Sequence, residues 1–374
     1  MSLLRDNLFT LCVKVLTCFA LASFTGCGSS KSNNPIDPSS SYDGKTSIAI
    51  VTAENAGDLA SGAYGGGSVA TIVRNASKHS REEKRYMEGG HPLIDIIQSI
   101  KQSTRSMMIP SKGVRSKFSN RSKRKDRFSN TGENGGTAYY DVDVNDSTGA
   151  FSGTITYEDY GTGGAFYNGK ATISGTYNID RDVMTRLTLS FRSLNVTFNN
   201  SEGIVLTGNL SWGYDYGNAS VAETLTMNLV LQDQGSGKTY WFKDYIISTV
   251  SYESEATLSF KGRYYDHDYG YVEIDTPETI HVDYGTDYPY SGIFLCGGMQ
   301  ETWVRIHFYT DYLSIEADTN GDGNIDWQTQ EETGGGDAGN TSPVADAGSD
   351  QEGEIGDKIQ LDGSGSHDPD GDTI

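Results

Sequence analysis

Cysteine is scarce. Of four in 374 residues, Cys12, Cys18 and Cys27 crowd the N-terminus and Cys296 stands alone in the body of the chain. A disulfide framework is therefore not what holds the fold. Histidine is nearly as rare, and its six residues never fall at the spacing of a zinc site. Cationic charge is short too. Lys and Arg number 29 against 50 Asp and Glu, giving a net charge of −21 and a pI near 4.6. That surface repels duplex nucleic acid, and no aromatic-interleaved basic stretch suits a single strand. No G-x-S-x-G, P-loop or dinucleotide fingerprint occurs. Carboxylates are so numerous that no pair stands out, so the chain reads as a non-enzyme. Glycine and tyrosine are what it has in quantity, 45 and 23, which suits turns and aromatic strands.

The longest apolar run, Val15 to Phe24, is too short to stay in a bilayer as a spanning helix. It follows Arg5 and Lys14 and ends in Phe24-Thr25-Gly26-Cys27, before Gly28-Ser29-Ser30. This resembles the bacterial lipoprotein signal, in which the cysteine is acylated and becomes the new N-terminus. The resemblance implies that Cys27 is a lipid anchor in the cell envelope. Gly28 is not the aspartate of an inner-membrane retention signal, so the outer membrane is the expected destination.

The chain then divides by composition. Residues 1–27 are the signal and 28–48 a Gly/Ser/Asn/Pro-rich tether. Residues 49–110 are helical, with Thr52 as an N-cap, a short helix through Leu59 and Ala63, and a second helix from Pro92. The second carries Leu93, Ile96, Ile97, Ile100 and Met107 as one apolar stripe. Residues 111–135 form a basic linker, densest at Arg121-Ser122-Lys123-Arg124-Lys125-Asp126-Arg127. Residues 136–330 are a β domain, 331–342 a linker, and 343–374 a separate piece.

The β domain is the most legible part. Leu187, Leu189 and Phe191 alternate with polar residues, and Leu194, Val196 and Phe198 continue in the opposite phase. A bulge or turn is expected near Arg192-Ser193. Leu225, Met227, Leu229 and Leu231 alternate, as do Ala256, Leu258 and Phe260, then Val304, Ile306 and Phe308. No helical period interrupts this, which predicts an antiparallel meander. Glycine sits on the apolar face at Gly153, Gly175, Gly208 and Gly262. Such glycines predict a sharply curled sheet or close approach of the Leu93 to Met107 helix. The fold class is thus mainly β: an antiparallel curled sheet or barrel-like half-shell with one or two N-terminal helices. A two-sheet sandwich is the alternative. Polar outward faces argue against a membrane-spanning barrel.

Two stretches carry candidate chemistry. Asp318, Asn320, Asp322 and Asp326 stand at positions 1, 3, 5 and 9 of an acidic loop, with Gly323 at position 6 and the Asn324 carbonyl at position 7. Oxygen ligands at this spacing suit structural Ca²⁺, and the loop resembles EF-hand-like loops of extracellular bacterial proteins. Thr329 replaces the glutamate of position 12, so Glu331 or Glu332 would complete the shell. Second, Trp303, Arg305, His307 and Tyr309 share the face opposite Val304, Ile306 and Phe308, as in strands that stack sugar rings. Asp266-His267-Asp268 reads as a hairpin turn, and Cys296 as a small core residue.

The last piece contains Ser342-Pro343-Val344-Ala345-Asp346-Ala347-Gly348 and Ile359-Gln360-Leu361-Asp362-Gly363-Ser364-Gly365-Ser366-His367-Asp368-Pro369-Asp370-Gly371-Asp372. These closely resemble the opening of a PKD repeat, an immunoglobulin-like β-sandwich of extracellular proteins, incomplete here. The β domain looks similar to uncharacterised Gram-negative lipoproteins. Together these imply a non-enzymatic envelope lipoprotein with a calcium-braced β domain for surface binding, adhesion or scaffolding. Its partners would be the membrane, through the anchor, and a glycan or surface protein. Two alternatives stand beside it: a periplasmic lipid carrier or envelope-assembly factor, and the accessory part of a truncated secreted hydrolase.

Overall fold

A computed structural model describes residues 36–65 and 124–332, apart from 146, 163–164, 179–182, 199–202, 217–219 and 284–288, together with Ser366. The described residues begin with a 3-10 turn, Ser39–Ser41, and hold one α-helix, α1 (Ala56–Gly65). Seven strands follow: β1 (Arg124–Thr131), β2 (Thr137–Val144), β3 (Ala150–Thr162), β4 (Ala165–Asn178), β5 (Val183–Phe198), β6 (Ile204–Tyr216) and β7 (Val221–Asp233). Seven more complete the sheet: β8 (Thr239–Ser251), β9 (Glu255–Asp266), β10 (Gly270–Asp283), β11 (Pro289–Gly297), β12 (Trp303–Phe308), β13 (Tyr312–Asp318) and β14 (Trp327–Glu332). All fourteen form one antiparallel sheet in chain order, with β1 and β14 as its edges among the described residues. The meander is therefore a single curled sheet that does not close into a barrel, and the two-sheet alternative falls.

Alternation sets the two faces. Leu187, Leu189, Phe191, Leu206, Leu210, Met227, Leu229 and Phe242 are at most 1% exposed. They belong to one apolar cluster running from Ala49 to Ala317. At β5 the apolar phase changes across Phe191 and Leu194, and the pairing with β6 shifts there. The extra residues keep both apolar triplets on the core face and bend the strand. Similar shifts break β3–β4 and β8–β9, at Asp159 and Asp244, both with φ of 49°.

The core-face glycines belong to this curl. Gly208 and Gly262 have φ of 131° and 132°, and a Cβ at either would strike the Asn228 or Asp244 carbonyl of an adjacent strand. At Gly153 and Gly175 the obstacle is again a neighbouring strand, at Asp141 and Arg186. The sheet itself occupies the space. The helix expected from Pro92 lies outside the described residues, as do Cys27 and, except for Ser366, the PKD-like piece.

Three boundaries need correction. The basic linker ends early, because Arg124–Thr131 is strand β1. Lys125 and Arg127 face outward and pair with Asp141 at 2.9 and 3.1 Å, while Phe128 stacks on Tyr140 at 4.6 Å. The first helix starts at Ala56 rather than being capped by Thr52. Asn55 sets its start, accepting the Thr52 N–H at 2.8 Å through Oδ1 and the Leu59 N–H at 2.9 Å through its carbonyl. The tether, too, is largely docked from residue 36 onward.

That docked segment is a strap across the outer face. The Ile36 N–H donates to Asn209 Oδ1 at 3.0 Å, and Asn209 Nδ2 donates to the Ile36 carbonyl at 2.6 Å. Tyr42 packs on Trp241 and Tyr265 at 5.8 and 5.7 Å, closing a second small core with Val230. Its hydroxyl lies 2.8 Å from the carbonyls of Lys45 and Asp266. Ile48 bridges to Tyr271, and the Val51 N–H reaches Thr302 Oγ1 at 3.0 Å. The chain then turns to the core face, where Ala56, Leu59, Ala60 and Ala63 of α1 are fully buried. Small residues let α1 sit close to the strands, and Tyr64 reaches Phe260, Phe294 and Phe308 at 5.2 to 5.5 Å.

Candidate functional site

The pairing of β12 with β13 sets Trp303 opposite Asp318, Arg305 opposite Glu316 and His307 opposite Ser314. Val304, Ile306 and Phe308 fill the core face, so the intervening side chains stand on the outer face, half-buried. The four residues expected to share that face do share it. The Arg305 guanidinium lies 5.0 Å from the Trp303 ring centre. It also donates to Glu316 Oε2 from Nε at 2.7 Å and approaches it from Nη2 at 2.6 Å. Glu316 is only 6% exposed, so this charge pair is desolvated on one side and its geometry is fixed. The His307 and Tyr309 rings lie 4.1 Å apart, with the Tyr309 hydroxyl 2.8 Å from His307 Nδ1.

Tyr312 extends the row, stacking on Tyr309 at 4.4 Å and 17°. The sequence reading missed it because it follows the turn; its cue was the Tyr-Thr-Asp-Tyr hairpin, closed by the Tyr309 N–H on the Tyr312 carbonyl at 2.9 Å. Glu316 was also missed, although the alternation of β13 places it beside Arg305. Burial pushes the Tyr309 phenol above its ordinary range, and the Glu316 carboxylate adds to the effect. The row thus keeps a neutral phenol, a fixed cation and several π faces at one surface. That combination suits stacking and hydrogen bonding, and it contains no activated nucleophile.

The acidic loop adjoins this row, since Asp318 ends β13 opposite Trp303. Asp318 Oδ1 accepts the N–H groups of Asn320 and Gly321 at 3.1 and 2.6 Å, and Oδ2 that of Gly323 at 2.7 Å. Burial pushes its carboxyl up, but the backbone donors from Asn320 to Gly323 outweigh that and hold it below the ordinary range. Asn320 Oδ1 accepts the Asp322 N–H at 2.9 Å and Asp322 Oδ1 the Asn324 N–H at 2.8 Å, so successive side chains wind the loop. Asp326 Oδ2 accepts the Thr319 N–H at 2.9 Å. Positive φ at Gly321 and Gly323 makes the reversals.

Asp318, Asn320, Asp322, the Asn324 carbonyl and Asp326 are therefore the oxygens within the loop that could hold Ca²⁺. Among the described residues no three His, Cys, Asp or Glu side chains form a ready metal cluster. The backbone of β14 carries Glu331 and Glu332 away from the loop. β14 leaves the loop at Trp327, opposite Ala317, and sets Glu331 and Glu332 opposite Leu313 and Tyr312 at the far end of β13. Four residues of strand separate Glu331 from the loop by roughly 13 Å.

Asp266-His267-Asp268 is the β9–β10 turn, with the Asp266 carboxylate accepting the N–H groups of Asp268 and Tyr269 at 2.9 and 3.2 Å. Cys296 is fully buried in the core, and burial pushes its thiol well above its ordinary range, which leaves no thiolate to attack. Comparison of the chain with family models, with curated proteins and with solved structures finds no match.

Proposed function

We propose that this is a non-catalytic cell-envelope protein, lipid-anchored through Cys27 in the outer membrane, whose β12–β13 outer face binds a saccharide on the cell surface. The observation that carries the reading is the continuous row of Trp303, Arg305, His307, Tyr309 and Tyr312, with neighbouring groups 4.1 to 5.0 Å apart where they stack. A sugar ring offers an apolar face to an aromatic ring and hydroxyls to flanking polar groups. Arg305 and His307 are those groups. Ca²⁺ held by Asp318, Asn320, Asp322, Asn324 and Asp326 would brace the loop beside Trp303. Screening the purified chain on a glycan array tests this: hits that vanish with Trp303→Ala and Tyr309→Ala support it. An array with no hits, or hits unaffected by either substitution, would falsify saccharide binding at this face. Anchoring is tested separately, since Cys27→Ser should release the protein from membranes and Cys296→Ser should not.

A second reading, carriage of an apolar molecule within the curled sheet, has one observation behind it. Trp212 is fully buried on the core face, and among the described residues its Nε1–H has no acceptor, a state that costs about 1–3 kcal/mol. An apolar ligand bearing one acceptor would relieve it. Lipid found by mass spectrometry in protein purified from cells, and lost with Trp212→Phe, would favour carriage over surface binding.

A further inference from the structure

Among the described residues the sheet is open, and its two edges differ in charge. β1 brings Arg124, Lys125 and Arg127 against one acid, Asp126, whereas β14 brings Glu331 and Glu332 and no cation. Unpaired N–H and C=O groups along an edge pair readily with another strand, and like charges are a common defence against it. Here that defence is selective. Two β1 edges repel, two β14 edges repel, and β1 against β14 attracts.

Geometry agrees with charge. In an antiparallel sheet of fourteen strands in chain order, the first and last run in opposite directions. A second copy in the same orientation can therefore lay its β14 beside β1 and continue the antiparallel alternation. The faces restrict the register. Asp126 and Phe128 pair with the core-face residues Val142 and Tyr140, and Trp327 and Thr329 with the core-face residues Ala317 and Ile315. A slip of one residue would put these sets on opposite faces. One register that keeps the faces together sets Phe128 against Trp327, Asp126 against Thr329 and Arg124 against Glu331, with Lys125 diagonal to Glu332. A shift by two sets Asp126 against Glu331 and loses the aromatic pair.

We infer that this edge pair is a docking surface for a second copy of the same chain, joined head to tail, β14 of one copy on β1 of the next. The contact uses a different surface on each copy, so it repeats into rings or filaments rather than stopping at a symmetric dimer.

Sedimentation of the full chain tests this, with Cys27→Ser so that acyl chains add no association. The average mass should rise with protein concentration from about 1 to 200 µM. Reversing β1 (Arg124→Glu with Lys125→Glu) should weaken association about tenfold or more, and so should reversing β14 (Glu331→Lys with Glu332→Lys). Both reversals in one chain should restore it. A second measurement does not depend on reversed charge: Asp126→Cys with Thr329→Cys should form disulfides between chains under mild oxidation. A wild-type mass that stays monomeric throughout, association indifferent to both reversals, or a disulfide formed within one chain would each overturn the inference. The last would mean that the sheet closes on itself.

Discussion

Two aromatic clusters stand on the outer face of the sheet, built from the same chemistry and put to different ends. In one, Trp241 stacks on Tyr265 at 4.7 Å, Tyr265 meets Tyr271 at 5.0 Å, and Lys243 and Arg263 lie over the Trp241 and Tyr271 rings at 4.9 and 5.2 Å. In the other, Trp303 takes Arg305, and Tyr309 takes His307 and Tyr312. The first is covered by Tyr42 of the strap, leaving Trp241 6% exposed; Trp303 stays half-buried. Aromatic rings with cations on a strand face therefore do not by themselves mark a ligand site. What the chain lays over them decides whether they act as core or as surface.

The largest expected effect comes from removing that cover. Tyr42→Ala should cost about 3 kcal/mol, as for other buried aromatics, whereas Tyr42→Phe, which keeps the ring, should cost about 1 kcal/mol. Urea unfolding of both variants checks this. Equal losses would mean that the hydroxyl, not the ring, seals the cluster.

Calcium should distinguish the clusters next. Only the open row adjoins the acidic loop, so Ca²⁺ at a hundredfold excess over its dissociation constant should add about 2.7 kcal/mol. Asp318→Ala with Asp322→Ala should abolish that gain and leave the Tyr42 effect unchanged. A melting temperature equal in Ca²⁺ and in chelator would make the loop a turn and nothing more.

Smaller still, Trp303→Ala should shift stability by less than about 1 kcal/mol, as a half-exposed residue outside the core, while abolishing saccharide retention. A stability loss matching that of Tyr42→Ala would turn the open row into a second structural cluster.

The smallest effect concerns Asp266, whose carbonyl meets the Tyr42 hydroxyl. Burial raises its carboxyl pKa, and the backbone N–H groups of Asp268 and Tyr269 only partly offset this. A raised folded value means that the protonated form is favoured in the native state. That contribution is complete below the ordinary carboxylate pKa and is lost as pH rises through the folded value. Asp266→Asn keeps an acceptor for both N–H groups without the charge. It should match wild type at strongly acid pH and melt higher at pH near 7. Parallel pH profiles for the two proteins would refute the burial cost.

Much of this was legible in the alternation of residue types. Leu225, Met227, Leu229 and Leu231, and the opposed faces of Trp303 to Phe308, follow from a period of two. The phase change after Phe191 marked its bulge. β1 was not legible, because an edge strand buries little: Phe128 is the one large apolar residue on its core side, and Lys125 and Arg127 face water. The strap was hidden by composition. Gly, Ser, Asn and Pro read as a tether, and nothing local announces that Ile36 and Tyr42 find their partners across the sheet. Likewise, Glu331 and Glu332 looked close enough to serve the acidic loop until the direction of β14 carried them away.

The strap also dictates an order of events as the chain is made. Each strand pairs with the next in sequence, so hairpins can form locally and the sheet can grow by short loop closures. The strap is different: its contacts span 173 residues to Asn209, 224 to Asp266 and 251 to Thr302. It leaves the ribosome before the sheet does, yet by these separations it should find its seat last. A slow final phase in refolding, reported by Trp241 as Tyr42 arrives, should therefore disappear when the strap is cut away.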